Sequence, residues 1–211
     1  EVMRRTIEER IARERALPKD HRETIVRSIR HIHETTASLT PAVLENLEAL
    51  SETDTVAVVT GQQLGMLGGP MYAFYKAYTA ILLARRLADE HPGVRFVPIF
   101  WLESEDHDLD EVAQSTVIAD EAEVRAIRFH PLADHASAAA GATSREELLE
   151  QEKNFKKQVG LIRFEAASLG GFFRELRSAL PPTAHTEEVL ALFERCYAPG
   201  KTLVQAFAEL M

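Results

Sequence analysis

A histidine surrounded by carboxylates is the part of this sequence best suited to catalysis. His107 lies in the run ESEDHDLDE, residues 103–111, which directly follows an apolar segment. Carboxylates next to a histidine raise its pKa and fix its tautomer, which tunes a general acid or base to neutral pH. We therefore predict catalytic roles for Asp106, His107 and Asp108. We expect the outer acids Glu103 and Glu111 to be solvated.

The same run also offers hard oxygen ligands for a cation. Asp106, Asp108 and Asp110 match the start of an EF-hand calcium loop. The match then fails, because Glu111 stands where the pattern needs glycine and Val117 stands where it needs a bidentate glutamate. We assign no metal ligand, and a Mg²⁺ site of another kind stays an open alternative.

A glycine-rich run, GQQLGMLGGP at residues 61–70, is the second candidate site. Glycine lets the backbone turn tightly and approach a ligand, and the amides at the following helix terminus favour phosphate or carboxylate. The spacing satisfies neither GxGxxG nor GxxxxGK(S/T), so neither nucleotide fingerprint is present. The alternative is a plain turn between strand and helix, although the adjacent amides of Gln62 and Gln63 weigh against it.

Ten residues around these runs are predicted to bind substrate or nucleotide. Tyr72 and Lys76 lie four apart on the following helix and would be outer contacts, while a solvated lysine is the commoner case. The opposite, apolar stripe of that helix is expected to contain Phe74, Ala77, Tyr78 and Ile81. The full predicted binding set is Gly61, Gln62, Gln63, Gly65, Gly68, Gly69, Tyr72, Lys76, Trp101 and Glu105.

Both runs follow strands of one predicted β-α-β unit. Residues 55–60 (TVAVVT) and 95–102 (RFVPIFWL) indicate buried strands, and residues 71–90 indicate a helix between them. Strands of such a unit run parallel, so both runs leave the sheet at the edge where α/β sheets place their ligands. We therefore predict an α/β fold in which the two runs face one cleft.

Helices and a short antiparallel pair are predicted around this unit. The first ~50 residues are helical by apolar spacing, with a break at Pro18 and a new start at Thr40 as N-cap with Pro41. Residues 115–118 and 124–129 predict two antiparallel strands. Further helices are predicted at about residues 169–180, 187–197 and 202–211.

Composition excludes several classes of protein. A chain of 211 residues, 45% hydrophobic, can bury one sizeable core, and a net charge of −9 argues against a nucleic-acid surface. The sequence holds neither an apolar run near the ~20 residues of a membrane span nor the apolar core of a signal peptide. The single cysteine, Cys196, is expected to be a small buried hydrophobic residue. The presence of one cysteine, which cannot form an internal disulfide, agrees with a reducing compartment. We predict a cytoplasmic protein without nucleic-acid or membrane partners.

The sequence predicts three parts: amino-terminal helices plus the core at 1–133, an insertion or connecting segment at 134–160, and a helical continuation at 161–211. A capping box at Ser144 and Glu147 opens a charged helix in the excursion at 134–157. The first residue is not Met and the last helix has an apolar face with nothing left to cover it. We expect a piece of a larger protein, in which the missing part or a second chain of a homodimer packs there.

The two runs together resemble one family. GQQLGMLGGPMYAFYKAYTAILLARRL followed by VPIFWLESEDHDLDEV is similar to the amino-terminal portion of the bacillithiol biosynthesis cysteine-adding enzymes. That family has a GQQ-G-GP-Y--K stretch and a P-FW---EDHD-DE stretch in this order. The resemblance is strongest over residues 56–117 and does not extend to 134–157.

The resemblance implies a Rossmann-like parallel sheet core with flanking helices, connecting segments and a long coiled coil, similar in outline to class I aminoacyl-tRNA synthetases. It also implies a ligase that joins L-cysteine to the amine of glucosaminyl malate to build a low-molecular-weight thiol. Amide formation from a carboxylate needs activation, and the ligase class points to ATP and Mg²⁺, although the sequence identifies neither. His107, oriented by Asp106 or Asp108, would deprotonate or hydrogen-bond the attacking amine.

Two alternatives accompany this reading. A nucleotidyltransferase of the class I synthetase-like superfamily, acting on another small acid, would share the cleft and release pyrophosphate. In a non-catalytic binding module, the glycine run would be a turn and the acidic run a docking surface. Changing His107 to alanine would then leave every activity untouched. Fold resemblance alone does not fix the reaction.

Overall fold

The computed structural model describes residues 2–36, 39–104, 109–119, 123–131 and 159–211. Contacts divide the chain into two compact units. Unit 1 consists of residues 1–61 and 74–101, and unit 2 consists of residues 62–73 and 102–211. The predicted excursion at 134–157 lies outside the described residues. The predicted division at 133 and 160 therefore stays a prediction.

Three helices open unit 1: α1 (Val2–Arg15), α2 (Lys19–Thr36) and α3 (Pro41–Leu50). The break at Pro18 is confirmed, since α1 ends before it and α2 begins directly after it. The predicted start of α3 is also confirmed. The N–H of Val43 donates to the side-chain oxygen of Thr40 at 3.3 Å, which satisfies one of the unpaired amides of the first turn.

The predicted parallel β-α-β unit is present. It consists of β1 (Thr55–Gln63), α4 (Tyr72–Glu90) and β2 (Arg95–Glu103), and its two strands form a parallel pair. In unit 1, the N–H of Arg95 donates to the oxygen of Asp54 at 2.8 Å, where the pair begins. In unit 2, the N–H of Leu64 donates to the oxygen of Glu103 at 3.3 Å, where it ends. Partner residues thus advance together along both strands, as a parallel register requires.

Helices cover both faces of the strands of unit 1. Strand side chains alternate between faces, so neighbouring residues of β2 enter different clusters. Phe96 packs with Val56 and with residues of α1 and α4, whereas Val97 packs with residues of α2 and α3. The helical members of these two clusters are Ile11, Ala84 and Leu87 on the first face, and Val26, Leu47, Ala49 and Leu50 on the second. Two helical layers around parallel strands define an α/β arrangement.

The buried stripe of α4 differs from the predicted one. We expected Phe74, Ala77, Tyr78 and Ile81 to form the apolar stripe, but Tyr78 is 59% exposed and Ile81 36% exposed. The buried residues are instead Ala73, Ala80, Ala84 and Leu87. Their spacing of three, four and seven follows one helical face. The prediction was wrong for Tyr78 and Ile81, while Phe74 and Ala77 are half-buried beside the buried face.

A buried arginine joins several elements of unit 1. Arg22 is 5% exposed. Its guanidinium donates to the carbonyl oxygens of Leu50 (3.4 Å) and Thr55 (3.1 Å), at the end of α3 and the start of β1. It also donates to the carbonyl oxygen of Glu14 in α1 (2.8 Å) and pairs with the Glu14 carboxylate at 3.2 Å. The planar fork of an arginine can serve these acceptors at once, which a lysine cannot.

Unit 2 contains the predicted antiparallel pair. Strand β3 (Gln114–Ile118) pairs with β4 (Val124–Arg128), and the short helix α5 (Leu109–Val112) precedes them. From residue 159 onward, where the chain is described again, the α-helices are α6 (Ala166–Ala179), α7 (Thr186–Cys196) and α8 (Leu203–Leu210). All three were predicted, with ends that differ by one to three residues. Within the described residues, none of the helices is long and apolar enough to cross a membrane.

Aromatic contacts fill the core of unit 2. Phe129 meets Phe164 edge-on, with ring centroids 5.3 Å apart, and meets Phe172 at 6.0 Å. Phe164 in turn contacts Tyr197 at 5.6 Å. Cys196 is 1% exposed, and burial raises the pKa of its thiol. The prediction of a small buried hydrophobe at this position is confirmed.

The last helix corrects another expectation. We expected the apolar face of α8 to be uncovered, but Leu203, Val204, Ala206 and Phe207 are all buried. The N–H of Leu203 donates to the oxygen of Ile162 at 3.0 Å, and this bond connects the start of α8 to another segment of unit 2. The face therefore gives no support to a second chain at this place.

Replacing Arg22 by methionine should lower the free energy of unfolding by about 3 kcal/mol, because the carbonyl groups of Glu14, Leu50 and Thr55 lose their donor while the Glu14 carboxylate keeps its pair with Arg10. Urea denaturation followed by circular dichroism measures this loss. Arg27→Met is the control, since Arg27 lies exposed on the same helix, and it should change the value by less than about 0.5 kcal/mol. Equal effects of the two substitutions would contradict the role of Arg22.

Candidate functional site

Where the glycine run begins, β1 and β2 leave no room for a side chain. A Cβ atom on Gly61 would lie 2.7 Å from the carbonyl oxygen of Trp101 and 2.8 Å from its Cβ, both within unit 1. Real Cβ atoms do not approach backbone atoms this closely. Glycine at this position is therefore required by the pairing of the strands.

The predicted loop starts later than the sequence indicated. We placed its beginning at Gly61, but β1 continues through Gln62 to Gln63. The strand continues because its pairing with β2 persists to the bond between the N–H of Leu64 and the oxygen of Glu103. Gln62 and Gln63 are thus strand residues rather than turn residues, and their side chains point to opposite faces.

Three predicted binding residues come together within unit 1. The Nζ of Lys76 donates to the carbonyl oxygen of Gly61 at 3.3 Å, and Gly61 lies against Trp101. Trp101 is 61% exposed at the end of β2. The lysine is therefore held at the end of β1, although contact of these residues with a ligand stays a prediction.

The turn itself, in unit 2, is built from closely packed backbone. Residues Met66–Gly68 form one 3₁₀ turn, and a Cβ atom on Gly65 would lie 2.7 Å from the Cα of Gly69. Gly69 has φ 68° and ψ −150°, a region that is essentially restricted to glycine. Leu67 has φ 58° and ψ 27°, which is left-handed and unusual for a leucine. The glycines thus allow a turn in which the chain passes close to itself.

The amides of the turn are bonded within unit 2. The N–H of Gly68 donates to the oxygen of Gly65 at 3.2 Å and to the hydroxyl of Tyr197 at 3.0 Å. The N–H of Gly69 donates to the oxygen of Met66 at 3.1 Å. The N–H groups of Gly68 and Gly69 therefore already have acceptors, whereas the sequence argument offered the amides at the start of the following helix to an anion. Direct ligand contact by Gly65, Gly68 and Gly69 stays a prediction. The hydrogen bonds described for these residues stabilise the conformation of the turn.

Two other predicted residues meet across this turn. The Nε2 of Gln62 donates to the hydroxyl of Tyr72 at 3.2 Å, although the residues are ten apart in sequence. Gln62 lies on β1 and Tyr72 opens α4, where it is 50% exposed. The turn thus places an amide and a phenol hydroxyl side by side at the surface of unit 2. Both groups can donate and accept hydrogen bonds.

The centre of the acidic run lies outside the described residues. This applies to Glu105, Asp106, His107 and Asp108, so their predicted roles stay predictions. Both flanks of the run are described and lie in unit 2. The carbonyl oxygen of Glu103 accepts from Leu64, and the carboxylate of Asp110 pairs with Arg128 at 2.6 Å. Of the two acids expected to be solvated, Glu111 is exposed and Glu103 is half-buried.

Sequence reasoning missed two residues that contact the turn. Tyr197 hydrogen-bonds Gly65 and Gly68 across 132 and 129 residues of chain. The hydroxyl of Ser115, on β3, donates to the oxygen of Met66 at 2.9 Å. Neither residue belongs to a motif, so their spacing carried no signal. Only the tertiary fold brings them to the turn.

A groove of about 410 Å³ in unit 2 contains no member of the predicted binding set, although Tyr197, which bonds Gly65 and Gly68, is among its lining residues. It lies beside α6 and α7 and is lined in part by Phe173, Arg174 and Glu194. None of its lining residues was predicted to bind substrate or nucleotide. The groove therefore adds nothing to the case for the predicted site.

A parallel β-α-β unit with helices on both faces of its strands and a glycine turn after the first strand defines a Rossmann-like α/β domain. The chain matches, over residues 3–211, a family model described as "Bacillithiol biosynthesis BshC, N-terminal Rossmann-like domain". The chain belongs to this family. The resemblance drawn from the glycine and acidic runs is confirmed.

Individual relatives give the same result. The chain is 39% identical over 168 residues to a protein of Chlorobaculum tepidum, which covers 78% of this chain and 26% of that protein. It is 32% identical over 171 residues to a protein of Chloroherpeton thalassium, a match that covers 81% of this chain and 27% of that protein. It is 29% identical over 170 residues to a protein of Bacillus cereus strain Q1, a match that covers 81% of this chain and 28% of that protein. Each is named "Putative cysteine ligase BshC". The chain spans about a quarter of the length of these relatives.

Replacing Gly61 by alanine should lower the free energy of unfolding by about 2 kcal/mol, because the added methyl group overlaps the backbone of β2. Gly170→Ala is the matched control. Gly170 lies inside α6, and a Cβ atom there meets nothing within 4 Å. This change should therefore raise stability by about 0.5–1 kcal/mol through helix propensity. Thermal unfolding that shifts in the same direction for both variants would contradict the close approach at Gly61.

Proposed function

We propose that the full-length protein carrying this domain is a ligase of bacillithiol biosynthesis. It joins the carboxyl group of L-cysteine to the amine of glucosaminyl malate and gives cysteinyl-glucosaminyl malate. The observation that carries this proposal is the family match over residues 3–211. The printed names of the relatives, as cysteine ligases, support the reaction class.

The reaction sets clear demands on the site. The amine nitrogen attacks the carboxyl carbon of cysteine, a carbon–nitrogen bond forms, a carbon–oxygen bond breaks, and the nitrogen loses a proton. A free carboxylate is a poor acceptor for this attack, so its oxygen must first be activated as a leaving group. ATP with Mg²⁺ is the activating pair that the ligase class suggests. The protein must therefore supply a proton acceptor and hold both substrates.

His107 is the proposed proton acceptor, with Asp106 or Asp108 orienting its ring. Support comes from the described flanks of this run, because β2 ends at Glu103 and α5 begins at Leu109. Asp110 in α5 forms an ion pair with Arg128 on β4. In sequence, His107 lies between β2 and α5.

The glycine run is the proposed binding element. In unit 1, Lys76 supplies a positive charge at the end of β1, and it suits a carboxylate such as that of malate or cysteine. In unit 2, Gln62 and Tyr72 supply hydrogen-bonding groups at the surface. In this proposal the polar side chains contact substrate, and Gly65, Gly68 and Gly69 support them, because the amides of the turn are already bonded.

The test of the reaction is incubation of the full-length protein with cysteine and glucosaminyl malate, with and without ATP and Mg²⁺. Mass spectrometry should detect the cysteinyl amide. Dependence on ATP would show that the nucleotide activates the carboxylate, and release of either ADP or AMP would identify the activated species. Formation of the cysteinyl amide, rather than release of pyrophosphate alone, separates this reaction from that of a nucleotidyltransferase. Failure to form the amide under every condition would overturn the proposal.

Replacing His107 by alanine should lower kcat about 10²- to 10⁴-fold, the range typical of a lost general base. His130→Ala is the control, because His130 is an exposed histidine of the same unit and lies outside the run. It should leave kcat within about twofold, as expected for a surface change. Steady-state rates of amide formation measure both values. Equal rates for the two variants would remove His107 from the mechanism.

A further inference from the structure

One tyrosine hydroxyl bonds both ends of the glycine turn. Tyr197 directly follows α7 and is 1% exposed. The N–H of Gly68 donates to its oxygen at 3.0 Å, and the hydroxyl donates to the carbonyl oxygen of Gly65 at 3.3 Å. The hydroxyl thus acts as donor and acceptor at once, which is the full capacity of a phenol group in a dry site. All of these groups belong to unit 2.

The ring that carries this hydroxyl is itself fixed. Its centroid lies 5.6 Å from that of Phe164, and the N–H of Tyr197 donates to the oxygen of Phe193 at 2.8 Å. Burial raises the pKa of Tyr197 above its ordinary value. The hydroxyl therefore keeps the proton that it donates to Gly65.

The turn needs such support because its backbone is strained. Leu67 is a buried residue in the left-handed region, with φ 58°, and such residues persist only where surrounding contacts hold them. A second side chain also acts on the turn, since Ser115 donates to the oxygen of Met66 at 2.9 Å. Two distant side chains thus hold three positions of the turn, Gly65, Met66 and Gly68.

The conformation of the turn determines where the side chains of Gln62 and Tyr72 lie. Gln62 precedes it and Tyr72 follows it, and their side chains form a hydrogen bond of 3.2 Å. We propose that Tyr197 is a positioning residue, whose hydroxyl sets the conformation of the glycine turn and thereby holds the Gln62–Tyr72 pair for substrate. This rests on the proposed function, because binding of substrate by the pair is part of that proposal.

The experiment compares the Tyr197→Phe variant of the full-length protein with wild type. Phenylalanine keeps the ring contacts and removes only the hydroxyl. Hydrogen exchange read by mass spectrometry should show faster exchange in the peptide that contains Gly68, because that amide loses an acceptor. The kcat/KM for amide formation should fall about tenfold, which corresponds to the loss of one well-formed hydrogen bond.

Leu176→Val is the matched control. Leu176 is a fully buried residue of α6 in the same unit, so the change costs stability without removing a bond to the turn. It should leave both the exchange of the Gly68 peptide and kcat/KM close to wild type. Unchanged exchange in Tyr197→Phe overturns the proposal whatever the activity. Faster exchange with the kcat/KM of the control also overturns it, since the turn would then not position substrate.

Wild-type protein that forms no amide overturns the proposed function, and the positioning role for that reaction falls with it. The exchange data still report separately on whether Tyr197 holds the turn. The two failures are therefore distinguishable, because one is read from wild-type product and the other from the variant's amide exchange.

Discussion

Only a hydrogen atom fits on Gly61 where β1 passes the backbone of Trp101 on β2. Parallel strands normally keep a distance that accommodates side chains above and below the sheet. Here one strand brings a carbonyl oxygen and a Cβ into the space that a side chain would occupy. The approach lies two residues before β1 ends at Gln63 and two before β2 ends at Glu103, so it constrains the strand pair just ahead of both runs.

Helix packing in unit 1 also depends on the size of the side chains near the strands. Ala84 and Leu87 of α4 pack with Val56 and Phe96 of the strands. An alanine at such a contact lets a helix axis come closer to a sheet than a larger side chain would. On the opposite face, Val97 packs against α2 and α3. The Arg22 side chain donates hydrogen bonds to carbonyl oxygens at the end of α3 and the start of β1. Small residues near the strands and one buried charge thus fix the arrangement of this unit.

Local signals in the sequence were sufficient for much of the fold. The break at Pro18, the cap at Thr40 and the strand–helix–strand order all follow from rules that operate within a few residues, and all are present. The extension of β1 through Gln63 was missed because glycine normally disfavours strands. Pairing with β2 overrides this preference. The buried face of α8 was misjudged because its cover comes from contacts that sequence spacing does not reveal.

The candidate site was predictable only in part, for the same reason. Motif spacing located the glycine and acidic runs, and the structure brings Lys76 to Gly61 and Gln62 to Tyr72. Motif spacing did not indicate Tyr197 or Ser115, which reach the turn through tertiary folding. Nor did spacing indicate that the turn's amides would be occupied, since donors can be counted from a sequence but their partners cannot.

The outward side chains of α4 have a practical consequence for anyone who handles this domain by itself. Tyr75, Tyr78 and Leu82 are 66%, 59% and 44% exposed along one helix. The net charge of −9 keeps separate molecules apart at low ionic strength. Added salt screens that repulsion while kosmotropic anions strengthen apolar association. We therefore expect the isolated domain to self-associate more readily in sulfate than in dilute chloride.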